Sequence, residues 1–341
     1  MAPKPLSRRS TLLMTAAGLA AGWVPAAGAD SARRQKGWRN GQSLPFPVQE
    51  IYPALHAGRI HLAGGFIAED GRITGPTAMH HAYDPASGNW TVKAPLPAAR
   101  HHPQLISYRG RLYCIGGYEA GEQGGWQMRG GVWRYDDAED AWSAAPAMPV
   151  PNGESISEVA DGLLFVIGGR HPRADRNLDW NDQTDVATAW AFDGSKWFDT
   201  APMPTARNSA ASGVINGYIH VIGGRTVGGG NLARHEVYDP ASDRWEHRAP
   251  MPKAQGGLAA AAIGHRLYAF GGEYFSGNGG GVYPDAWVYD ANRDRWSAIP
   301  DMPRPRHGLG AVALGGDIHV IGGALRASGK DTSAAVEIYT P

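Results

Sequence analysis

Leu112-Tyr113-Cys114-Ile115-Gly116-Gly117 is a short apolar run closed by two glycines, and the pattern occurs six times in the chain. Its counterparts end in Gly64-Gly65, Gly168-Gly169, Gly223-Gly224, Gly271-Gly272 and Gly322-Gly323. Successive pairs stand 52, 52, 55, 48 and 51 residues apart. A fixed period near 50 residues is the mark of a repeat architecture. Apolar runs of this length, bounded by glycine, read as strands buried on both faces.

Outward from each pair the units agree again. After a polar segment of variable length comes an aromatic turn: Tyr83-Asp84-Pro85, Tyr135-Asp136-Asp137, Phe192-Asp193-Gly194, Tyr238-Asp239-Pro240, Tyr289-Asp290-Ala291 and Tyr339-Thr340-Pro341. In five units a tryptophan follows (Trp90, Trp142, Trp197, Trp245, Trp296), then a Leu-Pro or Met-Pro step. The di-glycine, the aromatic and the spaced tryptophan together resemble the kelch repeat over roughly residues 38–341. The resemblance implies an all-β, six-bladed kelch β-propeller with four-stranded antiparallel blades around a central channel. The sixth unit lacks its tryptophan, whereas Trp38 with Leu44-Pro45 matches the missing segment. The N-terminal strand is therefore expected to complete the C-terminal blade and close the ring.

Residues 1–29 read as a cleaved export signal. Lys4, Arg8 and Arg9 precede an apolar stretch from Leu12 to Val24, and Ala27-Gly28-Ala29 offers a small-residue cleavage site. Ser7-Arg8-Arg9-Ser10-Thr11-Leu12-Leu13 resembles a twin-arginine signal, with Thr11 where phenylalanine is usual, so the general secretory route stays open. Residues 30–341 are then one propeller, placed in the periplasm or outside the cell. The whole chain carries 32 Lys+Arg against 32 Asp+Glu. Without the three signal cations the balance is slightly negative, which argues against nucleic acid or an anionic membrane as partner. The apolar stretch is short for a membrane span. The single cysteine, Cys114, reads as a core residue. Nothing in the pattern demands a cofactor, and a monomer is compatible with it.

Function is expected on the connecting loops at one mouth of the channel. Aligned on the prolines, three concentric positions emerge. The first holds Val48, Arg100, Asn152, Arg207, Gln255 and Arg306, whose arginines and amides suit recognition of carboxylate groups. The second holds His101 and His307. The third holds Glu50, His102 and Glu154 in consecutive units, facing Ser209, Gly257 and Gly308. Two carboxylates beside an imidazole can tune proton transfer or hold a metal. A further ring directly follows the glycines: Phe66, Tyr118, Arg170, Arg225, Glu273 and Ala324. Exported bacterial kelch propellers include sialic acid mutarotases, whose catalytic glutamate follows a glycine pair. Glu273 matches that placement, while Gly279 stands where those proteins carry an arginine. Trp126, Trp180, Tyr274, Phe275 and Tyr283 add loop aromatics suited to sugars or peptides. The acid-rich stretch Asp179–Asp185 is a calcium candidate without EF-hand spacing.

Three function classes follow. A binding module for an acidic carbohydrate or a partner protein needs only the arginines and loop aromatics. A cofactor-independent sugar mutarotase or epimerase needs an acid/base pair, for which Glu273, Glu50, Glu154 and His102 are available. Copper-radical oxidation needs a Cys–Tyr cross-link and a Tyr-His pair; Cys114 lies in a blade strand and no Tyr-His dipeptide exists, so it is disfavoured.

Overall fold

The computed structural model describes residues 36–121, 125–174, 176–277 and 279–341. The expected export segment, 1–29, lies outside the described residues. Each repeat forms one antiparallel sheet of four strands in chain order. The first blade is Ala54–His56, Arg59–Ala63, His80–Asp84 and Asn89–Lys93. The second is Gln104–Tyr108, Arg111–Ile115, Val132–Asp136 and Ala141–Ala145. The next three start from the inner strands Ile156–Ala160, Asn208–Ile215 and Ala259–Ile263. The sixth takes Gly310–Leu314, Asp317–Ile321 and Val336–Thr340 from the C-terminal end, and Gly37–Asn40 is its outer strand, with Trp38 opposite Tyr339. Among the described residues no helix is long and apolar enough to cross a membrane.

The repeat's tryptophans act between blades. Each indole Nε1 donates to a carbonyl of the preceding blade: Trp90 to Gln42, Trp142 to Ala94, Trp197 to Pro146, Trp245 to Ala201 and Trp296 to Ala249, at 2.8–3.1 Å. Trp38 does the same to Pro300 at 2.8 Å, so it is the sixth blade's tryptophan. The apolar core is correspondingly split into clusters that each join two neighbouring sheets. Ile156 and Phe165 pack with Ala210, Ile219 and Tyr238, for example. Ile60 and Leu62 of the first blade pack with Val312, Ile321 and Val336 of the sixth.

The glycine pairs are needed for the same junctions. All twelve residues have φ between 58° and 104°, a region that side chains resist. A Cβ on Gly116 would lie 2.4 Å from the Asn152 carbonyl oxygen, and one on Gly271 would lie 2.2 Å from that of Arg306. That same carbonyl accepts the N–H of the second glycine: Gly117 to Asn152 and Gly272 to Arg306, both 2.9 Å, and Gly323 to Val48, 2.8 Å, across the sixth and first blades.

Candidate functional site

The site starts from backbone strain. Glu50, His102, Glu154 and Ser209 have φ of 55°, 54°, 56° and 50°, and Gly257 and Gly308 have 68° and 57°. Six equivalent positions are thus left-handed, and four carry side chains that pay for it in strain. These positions share a hydrogen-bond chain around the axis. Five of the six N–H groups reach the carbonyl of the counterpart in the neighbouring blade: His102 to Glu50, Ser209 to Glu154, Gly257 to Ser209, Gly308 to Gly257 and Glu50 to Gly308, at 2.7–3.1 Å. This conformation brings polar side chains from separate blades together at the head of the channel.

The carboxylate of Glu50 lies 2.8 Å from His102 Nε2 and 3.7 Å from His307 Nδ1. Burial works against the charge on Glu50, but His102, His307 and Arg225 overcome it and hold its pKa far below the usual carboxylate range. Burial also works against protonation of His102, yet Glu50 and then Glu154 raise its pKa. The pair is therefore carboxylate and imidazolium. His101, whose Nδ1 is 2.6 Å from His102 Nδ1, has its pKa driven well down by burial and by His102. Neutral His101 accepts at Nδ1 the proton that His102 does not direct to Glu50. Glu154 accepts from Ser209 Oγ at 2.7 Å and from Tyr118 Oη at 3.0 Å. Glu273 accepts from Arg225 Nη1 at 2.5 Å and from the Ser328 amide at 3.0 Å, and sits 3.5 Å from His307 Nε2. Burial, Glu154 and other neighbours raise the phenols of Tyr118 and Tyr52 well above their usual range, so both stay protonated.

Above this ring stands a crown. The chain after each glycine pair forms a small hairpin: Phe66–Glu69 with Arg72–Pro76, Tyr118–Ala120 with Trp126–Met128, Arg170–Pro172 with Gln183–Asp185, Glu273–Ser276 with Gly279–Val282, Ala324–Arg326 with Lys330–Thr332, and the extension of Tyr218–Thr226 with Gly230–Asn231. Neighbouring hairpins are tied together, as by Val227 N–H to Asp185 at 2.7 Å and Asn231 to the Glu273 carbonyl at 2.6 Å. On one side the crown is aromatic. His101 is stacked between Phe66 and Tyr118, and Trp126 meets Trp180 edge-on at 5.8 Å. The Arg170 guanidinium lies 3.8 Å over the Trp180 ring. Arg170 is buried, and its Nε and Nη1 have no hydrogen-bond partner. Each crown loop presents an exposed apolar residue: Ile73, Trp126, Leu178, Val227, Phe275 and Leu325.

The sequence-derived rings separate here. Glu50, His102, Glu154, Glu273, Tyr118, Arg170 and Arg225 converge, with Trp126 and Trp180 at the edge. Arg100, Asn152, Arg207, Gln255 and Arg306 do not face a ligand and correct that expectation. They lie 0–1 % exposed between blades. Arg100, Asn152, Arg207 and Gln255 donate to the first glycine's carbonyl of their own blade, Gly116, Gly168, Gly223 and Gly271, at 2.6–3.1 Å. The arginines also meet Glu119, Glu236 and Glu337 at 2.8–3.1 Å. Their carbonyls hold one blade and their side chains the next, so this ring is a staple. The Asp179–Asp185 stretch is a capped turn: Asp179 accepts from the Asn181 amide and Asp182 from that of Leu178. Among the described residues no three His, Cys, Asp or Glu are placed to hold a metal. Tyr52 and Gln183, which accepts from Tyr118 Oη at 3.1 Å, join the site without any sequence signal beyond their place two residues past a ring position or inside a variable loop.

Known proteins share this architecture. The KLHDC2/KLHL20/DRC7 kelch-repeats domain matches residues 157–336, and the kelch motif matches 99–149. Kelch-like protein terF of Aspergillus terreus is 30% identical over 310 residues, covering 87% of this chain and 65% of that protein. Mouse Kelch-like protein 35 is 26% identical over 247 residues, covering 71% of this chain and 38% of its own length. The chain thus spans less than two thirds of these relatives. The solved structure of YjhT superposes with a TM-score of 0.73 at 17% identity, covering 88% of this chain and 97% of that one, a likeness of fold. With six tryptophan-stapled, di-glycine blades and a domain match over more than half its length, the chain belongs to the kelch-repeat family.

Proposed function

We propose that the head of the channel binds a small acidic carbohydrate and moves a proton on it without a cofactor, as in ring opening or epimerisation. The observation that carries this reading is the Glu50–His102 pair, 2.8 Å apart on strained backbone, with a neutral imidazole behind it. The imidazolium is a proton donor held ready, and Glu50, its own pKa held far below the usual range, is the counter-ion that keeps it charged. Glu273, clamped by Arg225, and the protonated phenols of Tyr52 and Tyr118 supply further proton-handling groups around the same point. The Arg170 guanidinium, beside Trp126 and Trp180, makes only long ion pairs to Glu154 and Asp185, 3.8–3.9 Å, and so keeps donors that suit a carboxylate attached to a sugar ring. We also place the protein outside the cytoplasm, on the strength of residues 1–29; fractionation of cells expressing the full chain and one lacking residues 2–29 checks this, with only the first expected outside the cytoplasm.

Saturation-transfer NMR on free sialic acid and other acidic sugars tests the activity. Accelerated anomer exchange by the wild type, lost in His102→Gln and Glu273→Gln while binding persists, is expected. Binding without exchange in any sugar would leave a binding module, the reading that Arg170 and the aromatics favour by themselves.

A further inference from the structure

Below the charged ring, a cavity of about 390 Å³ runs along the axis between the six innermost strands. Its lining starts at Ile51 and Tyr52 and ends at Val214, Ala262 and Ala313, so it excludes Glu50, His102 and Glu154. Alanine, leucine, isoleucine and valine make most of the wall. Such a volume, apolar with a few polar groups, is that of a small-molecule site. The ionisable residues in the wall are Tyr52 and Glu158.

Glu158 is not a demand of the repeat. Four residues beyond the left-handed ring the other blades carry Ala54, Ile106, Gly213, Ala261 and Val312. Its Oε1 accepts from Ser212 Oγ at 2.7 Å on the adjacent inner strand. Glu158 pairs with Phe165 in its own sheet, and the inner strands packed on either side, Gln104–Tyr108 and Asn208–Ile215, carry no charged residue. Burial, opposed only by the Ser212 hydrogen bond, pushes its carboxyl up to about 7. A carboxylate facing an apolar cavity without a counter-charge is costly, and a cation in the cavity relieves that cost.

We propose that the axial channel is a second ligand site, taking a small aliphatic ammonium whose charge docks on Glu158 and whose apolar body lies along the alanine-rich wall. The site shares only Tyr52 with the one above it and does not rest on its chemistry.

Titration of the full protein with n-butylammonium chloride in a calorimeter tests this, with 1-butanol as the uncharged control. Saturable binding at pH 8, about 30-fold weaker at pH 5.5 as Glu158 with a pKa of about 7 takes up its proton, is expected. 1-Butanol should not bind measurably, and Glu158→Gln should lose the ammonium at both pH values. Equal binding at the two pH values, equal binding of butanol, or no saturable heat at pH 8 overturns the proposal. The pH and butanol arms use the unmodified protein, so they decide the matter even if Glu158→Gln fails to fold.

Discussion

Arg207→Met removes a guanidinium from a place where sequence reasoning put ligand contact and the structure puts a staple. Arg207 and Glu236 have fully buried side chains 2.8 Å apart, and Arg207 also donates to the Gly223 carbonyl at 3.1 Å. Without the cation, Glu236 keeps the Thr205 hydroxyl at 2.6 Å and, among the described residues, has the exposed His247 imidazole 3.8 Å away. Leaving one member of a buried pair uncompensated costs about 3–5 kcal/mol. At about 2–4 °C per kcal/mol for a domain somewhat smaller than this one, the melting temperature should fall by roughly 6–20 °C. Adding Glu236→Leu removes the orphaned charge and should recover most of the loss, since the equivalent of Arg207 is already Val48 in the first blade. Gln255→Ala leaves the Gly271 carbonyl short of a donor and the Trp287 indole Nε1 short of an acceptor, and should cost about 1–3 kcal/mol. Calorimetric melts of the four proteins, with acidic-sugar binding measured in parallel, give the answer. An Arg207→Met protein that melts within about 1 °C of wild type but binds no ligand would refute the staple.

Gly308→Ala should disturb the charged pair while leaving the blades intact: the new Cβ lies 2.8 Å from the Glu50 carboxyl carbon. With Glu50 displaced, the His102 pKa should drop, and an imidazole NMR titration that stays unchanged contradicts the geometry. Acid should weaken the fold through two buried imidazole pairs, His61–His80 and His220–His235, each joined at 2.9 Å. Burial above all pushes all four down to about 3–4 from an unfolded value of 6.5. The folded state therefore binds fewer protons, so their stabilisation is whole above pH 6.5 and is lost as pH falls toward 4. Melts between pH 7.5 and 4.5 should show this slope, reduced in His220→Phe. Trp38→Ala should cost about 3–5 kcal/mol, because it empties the contact with Phe270 and Tyr339 and frees the Pro300 carbonyl; a melt like wild type would deny the outer strand its role.

Blade number, strand order and the transfer of Trp38 to the last blade were legible because the repeat restates them in every unit. The third ring was legible too, since equal offsets from proline place Glu50, His102 and Glu154 at equal heights. What equal offsets do not say is which way a side chain turns. The first ring points down between sheets and the third lies beside the axis, a distinction made by the left-handed backbone two residues later. Glu236 and Glu337 both stand two residues before their unit's aromatic, but loops of unequal length put them 29 and 31 residues after their arginines, and Glu119 comes from a hairpin 19 residues after Arg100, so no single spacing announces the three pairs. Asp179–Asp185 looked like a metal loop because capping a tight turn and binding a cation call for the same oxygens.

The pairing of Gly37–Asn40 with Val336–Thr340 also sets an order of events in time. The first strand of the propeller to leave the ribosome is the last to find its neighbour, because Pro300, Asp317 and Thr340 are some 260–300 residues away. Until they arrive, Trp38 has no indole acceptor and the sixth sheet has a bare edge, a state open to pairing with another chain. Contacts so distant in sequence form slowly. The propeller therefore stays incomplete until its last blade has been made, and the interval between that blade's appearance and the capture of Trp38 is when it most needs protection from its own copies.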